Sequence, residues 1–153
     1  MAVTGLNHAV LRVRDVPRAR AFYGEALGME VVTELPGAAF LRLPASGHHH
    51  DLGLFATRGA APPPGGVGLY HLAWEVESFD DLVATRERLS RMGALVGESD
   101  HGASLSLYAQ DPDGIEFEVM WAVPREHWTP EDDTAVRRLD WVTATERWSA
   151  ARA

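Results

Sequence analysis

The chain has 153 residues, of which 46% are hydrophobic and 24% charged, and it has no cysteine. That length fits one domain or two small halves; the apolar content excludes a disordered chain, no apolar run is long enough to span a bilayer, and the lack of thiols excludes disulfide or thiolate chemistry. Lys and Arg number 14 against 22 Asp and Glu, and the resulting charge of −8 disfavours nucleic acid, because a polyphosphate would be repelled.

The start, Met1-Ala2-Val3-Thr4-Gly5, has no basic stretch leading into an apolar one, so no secretory signal is visible and a cytoplasmic location is expected. Leu6-Asn7-His8-Ala9-Val10-Leu11-Arg12-Val13 then reads as a strand. Asp15 is a good N-cap, Pro17 suits the first helical turn, and the helix should stop at Leu27-Gly28. Apolar runs over 30–34, 38–43 and 51–56 read as strands. A linker over 59–66 is too rich in Pro and Gly to form an element.

The pattern then repeats. Leu69-Tyr70-His71-Leu72-Ala73-Trp74-Glu75-Val76 matches the first strand, so that His71 stands where His8 stood. Ser78 is the N-cap, Asp81 sits at the capping-box position, and Met92-Gly93 mirrors the first helix stop. Strands are expected over 94–96, 104–110 and 115–123, the last two joined by the turn Asp111-Pro112-Asp113-Gly114. The reading is an α+β fold of two tandem β-α-β-β-β modules, one over 4–58 and one over 67–123, forming a curved mixed sheet around a cleft. Halves this short bury little apolar surface alone, so they are expected to pool a core. A helical extension over 124–153 follows. Its helix should begin at Thr129-Pro130-Glu131-Asp132, with Val136, Leu139 and Val142 as an apolar stripe and Trp141 and Trp148 on a neighbouring face. Docking on the domain or on a second subunit is the favoured reading of that helix, a lid over a pocket the alternative.

Strand parity sorts the chemistry-bearing residues. Leu72, Trp74 and Val76 should pack under a helix, as should Leu105, Leu107 and Ala109, and Ile115, Phe117, Val119 and Trp121. His71, Ser106, Tyr108, Glu116 and Glu118 then share the opposite, polar face. A lone strand His is more often structural than a ligand, but packing has no reason to choose imidazole twice at matched repeat positions. Imidazole is the commonest protein ligand of transition metals. With Glu118 as the acid, His8 and His71 would make the two-His, one-carboxylate set that suits mononuclear non-haem Fe(II).

The two modules, with His8, His71 and Asp111-Pro112-Asp113-Gly114 leading to Glu118, resemble the vicinal oxygen chelate superfamily over about residues 4–123. That group holds glyoxalase I, extradiol dioxygenases, fosfomycin-resistance thiol transferases and bleomycin-binding proteins. His49-His50-Asp51-Leu52-Gly53-Leu54-Phe55 looks like the active-site His strand of the catechol 2,3-dioxygenase type. His101-Gly102 and Tyr108 look like that type's His-Gly pair and Tyr, in a slightly shorter loop.

The resemblance implies an oxidoreductase of aromatic catabolism, an extradiol ring-cleaving dioxygenase using O₂ on a small aromatic diol. It implies Fe(II), or Mn(II), on His8, His71 and Glu118. His50 would be the acid–base group, and His101 and Tyr108 would bind the diol oxygens. A homodimer is expected, with no membrane and no nucleic-acid partner. The alternatives are a metal-free, bleomycin-type binding protein and a metal-dependent, fosfomycin-type thiol transferase. The second requires a Thr where Val10 stands and lacks counterparts of His50 and His101. Glyoxalase I uses a fourth, carboxylate ligand that the stretch Gly53-Leu54-Phe55-Ala56 does not offer.

Overall fold

The structure of the chain, a computed structural model, describes residues 2–60 and 66–149. Most of the expected linker, 61–65, and the last residues, 150–153, lie outside the described residues. The chain divides into two compact units, Met1–Gly68 with Asp111–Asp113, and Leu69–Gln110 with Gly114–Ala153.

In the first unit, strand β1 (Ala9–Val13) leads into helix α1 (Val16–Leu27) and then β2 (Glu30–Leu35), β3 (Ala38–Arg42) and β4 (Leu52–Ala56). Asp15 caps α1 by accepting from the Arg18 N–H at 2.9 Å. Gly28 ends it at φ 69°, a left-handed geometry that glycine adopts without a Cβ penalty. The sheet order is β1-β4-β3-β2, with β1 and β4 parallel and the other pairs antiparallel. Leu11, Val13, Ala39, Leu41, Leu52 and Leu54 are buried on one face, and α1 contributes Val16, Ala19, Tyr23 and Ala26 to the same layer. The Asp111–Asp113 turn is tied to this unit. The Tyr23 hydroxyl donates to Asp111 Oδ2 at 3.1 Å, and Arg14 and Arg18 hold the Asp113 carboxylate.

The second unit repeats the order as β5 (Leu72–Glu75), α2 (Phe79–Arg91), β6 (Leu95–Asp100), β7 (Ser104–Gln110) and β8 (Glu116–Ala122). Its sheet runs β5-β8-β7-β6, again with the first pair parallel. Ser78 caps α2 by accepting from the Asp81 N–H, while its hydroxyl donates to Asp81 Oδ2, so the reciprocal arm of the cap runs through side chains. Leu105, Leu107, Ala109, Phe117, Val119 and Trp121 face α2, as strand parity predicts. Each unit thus carries an apolar layer of its own between helix and sheet.

The tail departs from the periodicity reading. Pro130–Thr134 forms a single 3-10 turn, and Arg137 then runs extended, its backbone paired both ways with Asp100. Helix α3 begins only at Trp141 and ends at Trp148, capped by Asp140, which accepts from the Val142 and Thr143 N–H groups. Val136 and Val142 are exposed and only Leu139 is buried, so the stripe is not a helix face. The start signal at Thr129 is used, its capping box with Asp132 opening the 3-10 turn, but the pairing of Arg137 with Asp100 stops that turn from growing into a helix. The helix docks on its own unit. Trp148 packs edge-on to Trp121 at 5.3 Å, and Trp141 lies 6.2 Å from Phe79 and donates to Glu98. Among the described residues no helix is long and apolar enough to cross a membrane.

Candidate functional site

In the first unit His8 is the residue just before β1, and His50 lies two before β4. The Ala9 N–H donates to the Asp51 carbonyl at 2.9 Å, which ties the ends of these two strands together and sets the imidazoles of His8 and His50 4.5 Å apart. Phe40 meets His50 edge-on at 5.0 Å, and Phe55 meets Phe40 at 5.7 Å. The loop before β4 is fixed from within. Buried Asp51 accepts from the Leu43 N–H at 2.7 Å, the Ser46 hydroxyl at 2.8 Å and His48 Nδ1 at 2.8 Å. Partial desolvation, then the neighbouring His8 and His49, hold His50 below the usual imidazole pKa, with Asp51 offsetting part of the shift. His50 is therefore neutral at neutral pH and able to take up a proton. The Asn7 side-chain oxygen lies 2.9 Å from His8 Nδ1, and a hydrogen bond donated by Nδ1–H would leave the Nε2 lone pair for a ligand.

In the second unit His71 stands just before β5, matching His8. In the sheet Ala73 pairs with Glu118, and Glu118 with Tyr108, which places these side chains on the face away from α2. His71 Nε2 lies 3.0 Å from Glu118 Oε2, and its Nδ1 is buried without a hydrogen-bond partner, 3.8 Å from Glu116 Oε1. With its proton on Nε2 the ring donates to Glu118; exchange of that proton for a cation would turn the same nitrogen and oxygen into neighbouring ligands. The donor atoms are one imidazole nitrogen and one carboxylate oxygen, the types that suit a divalent transition metal. The pair fits such an ion. Among the described residues no three His, Asp or Glu side chains gather into a ready cage.

Tyr108 lies edge-on to His71, ring centres 5.6 Å apart, and its hydroxyl is 2.9 Å from His101 Nε2. Burial, then the Glu118 charge, raises the Tyr108 pKa above its ordinary value, so its phenol is protonated at neutral pH. The six residues singled out from the sequence thus fall into two groups, His8 with His50 in one unit and His71, Glu118, Tyr108 and His101 in the other. Sequence reasoning gave no role to Phe40, the ring against His50, or to Asp51, the loop clamp. Glu116 and the fully buried Ser106 were placed on the polar face by parity, without roles.

The Glyoxalase/Bleomycin resistance protein/Dioxygenase superfamily model matches residues 5–119. A biphenyl-2,3-diol 1,2-dioxygenase from Rhodococcus globerulus is 34% identical over 128 residues, covering 79% of this chain and 66% of that protein. A catechol-2,3-dioxygenase from Bacillus subtilis is 32% identical over 127 residues, covering 82% of this chain and 44% of that protein. The chain therefore spans less than two thirds of the length of either relative. Among solved structures, a glyoxylase/bleomycin resistance protein/dioxygenase domain from Frankia sp. superposes with a TM-score of 0.69 at 26% identity, covering 82% of this chain and 98% of that one. Two repeated modules, histidines at matched strand starts and a family match over most of the length place this chain in the glyoxalase, bleomycin resistance and dioxygenase superfamily.

Proposed function

We propose that the protein is an extradiol dioxygenase, with Fe(II) held by His8, His71 and Glu118 and a catechol-like diol and O₂ as its substrates. The observation that carries this reading is the His71–Glu118 pair at 3.0 Å beside the hydrogen-bonded Tyr108 and His101. When bound, the ion supplies Lewis acidity that lowers the pKa of a chelated diol and a redox partner for O₂. Tyr108 and His101 take the proton that the diol loses and hydrogen-bond its oxygens. His50, neutral and flanked by His8, gives and takes a proton on the O₂ side. Both oxygen atoms enter the product, a ring-opened hydroxymuconic semialdehyde type, so no outside reductant is needed.

The test uses the full chain loaded anaerobically with Fe(II). One equivalent of bound iron, oxygen uptake with a catechol panel and a yellow product are expected. Protein that binds no metal under iron-replete conditions, or that binds catechols tightly without consuming oxygen, overturns the reading.

A further inference from the structure

The family match ends at residue 119, yet the chain beyond it returns to the polar face of the second unit. The segment after β8 is fastened on both sides of His101. Before it, Asp100 and Arg137 exchange two backbone hydrogen bonds of 2.9 Å. After it, Gly102 has φ 73°, and a Cβ there would overlap the Asp132 side chain, so only glycine lets the segment lie this close. Asp132 is itself held by the Thr129 N–H at 2.8 Å and by Arg137 at 2.9 Å. Between these two fastenings the Ala135 carbonyl lies 3.3 Å from His101 Nδ1.

A carbonyl can only accept, so the His101 proton sits on Nδ1 and the Nε2 lone pair faces the Tyr108 hydroxyl. We propose that segment 129–137 is a positioning element that fixes the His101 tautomer, making His101 Nε2 the acceptor of the Tyr108 proton. This rests on the diol reading above. As the diol loses a proton to the Tyr108 oxygen, Tyr108 passes its own to His101 Nε2. The result is a diol anion, a neutral tyrosine and an imidazolium whose Nδ1–H stays on Ala135. No electrons move and no charge is lost. A tail serving only to cover Trp121 needs α3 alone; it does not need a carbonyl brought to His101 with fastenings at 100 and 102.

Arg137→Pro tests this without touching His101 or Tyr108, because it removes both the N–H that meets Asp100 and the guanidinium that meets Asp132. The readout is the ¹⁵N pattern of the His101 ring by NMR in the full metal-free chain, together with kcat and KM of the iron-loaded protein. Wild type should show Nδ1–H and a bare Nε2. The variant should show a mixture of tautomers and a kcat lower by about tenfold at nearly unchanged KM. Asp132→Ala, which loosens the same segment more gently, should shift both readouts in the same direction and serves where the proline variant does not fold. A wild-type ring protonated on Nε2, or an Nδ1–H pattern unmoved in folded variants, overturns the proposal. A pattern that shifts as expected in a protein with no oxygen uptake upholds the tail's control of the tautomer and defeats the dioxygenase reading instead.

Discussion

The two modules share one topology and diverge at the residues that face away from their helices. In the second, Glu118 is flanked in the sheet by Ala73 and Tyr108; in the first, the equivalent place is held by Gly53, flanked by Val10 and Phe40. The carboxylate has become a hydrogen atom and the phenol a phenyl ring. A Cβ at Gly53 would meet Val10 at 3.3 Å and the rings of Phe55 and Phe40 at 3.5 and 3.6 Å, so the open space is walled by apolar groups. Even the irregularity in pairing is kept, between Val31 and Thr33 in one module and Leu95 and Gly97 in the other. The scaffold is common to both modules and the faces differ. Both keep a His before the first strand, while acid and phenol survive on one side only.

The largest expected effect comes from erasing that asymmetry. Glu118→Gln keeps the side-chain size and removes the charge that His71 Nε2 faces at 3.0 Å. Bound iron should fall to a trace, with oxygen uptake lost by more than the roughly 10–100-fold typical of residues that merely support a metal ligand. Iron analysis beside an oxygen electrode checks both; a variant with full iron content removes Glu118 from the ligand set. Next comes His50→Ala, which takes away the proposed proton-transfer group of the first module and leaves the proposed ligands in place. Iron should stay while kcat falls by about 10²–10⁴-fold. Should iron be lost as well, His50 is a ligand and not an acid–base group.

Tyr108→Phe makes the second module copy the Phe40 of the first. It deletes the hydroxyl that meets His101 at 2.9 Å and leaves the ring against His71. The expected loss is about 10–100-fold in kcat, below the usual range of general acid–base contributions because His101 would still be able to bond the proposed diol directly. The reverse change, Phe40→Tyr, adds a hydroxyl to the ring against His50 but supplies no carboxylate beside it, and should not restore the activity that Tyr108→Phe removes. Activity restored in the double variant would mean that the two faces are interchangeable.

Much of this was legible in the sequence because it rests on local rules. The Asp15 and Ser78 caps, the Gly28 stop and the Asp111-Pro112-Asp113-Gly114 turn are set by a few neighbouring residues, and strand parity alone put Tyr108 and Glu118 on one face. The tail was not legible, since its course depends on backbone pairing with Asp100, a partner far away in sequence. The Ala135 carbonyl left no trace at all: every residue carries that atom, and only the fold brings it to His101. Asp51 falls between these cases. The sequence shows it only as the neighbour of His50, whereas three donors around it show a clamp.

That clamp gives the smallest effect, and one confined to the first module. Leu43 N–H, Ser46 hydroxyl and His48 Nδ1 all point at the two Asp51 oxygens. In Asp51→Asn the amide oxygen can keep the Leu43 and Ser46 donors only if the NH₂ turns to His48, whose Nδ1 must then accept, and the charge that strengthens all three bonds is lost, at a cost of about 1–3 kcal/mol. The dependence on pH follows from the charge. Burial pushes the Asp51 pKa up, but the Leu43, Ser46 and His48 hydrogen bonds outweigh it, and the carboxyl sits below its ordinary value. A depressed folded pKa stabilises the native state above the unfolded pKa of about 3.9, and that contribution is lost as the pH falls through the folded value. Thermal unfolding followed from neutral into acid pH should therefore show the wild-type Tm well above that of Asp51→Asn at neutrality, with the two curves drawing together in acid. Curves that stay parallel would mean that the loop carrying His50 is held by shape and not by this carboxylate. The same loosening should reach His50 through the Asp51 carbonyl bonded to Ala9, and so lower kcat in the variant by a few-fold at most, about 1 kcal/mol in barrier height.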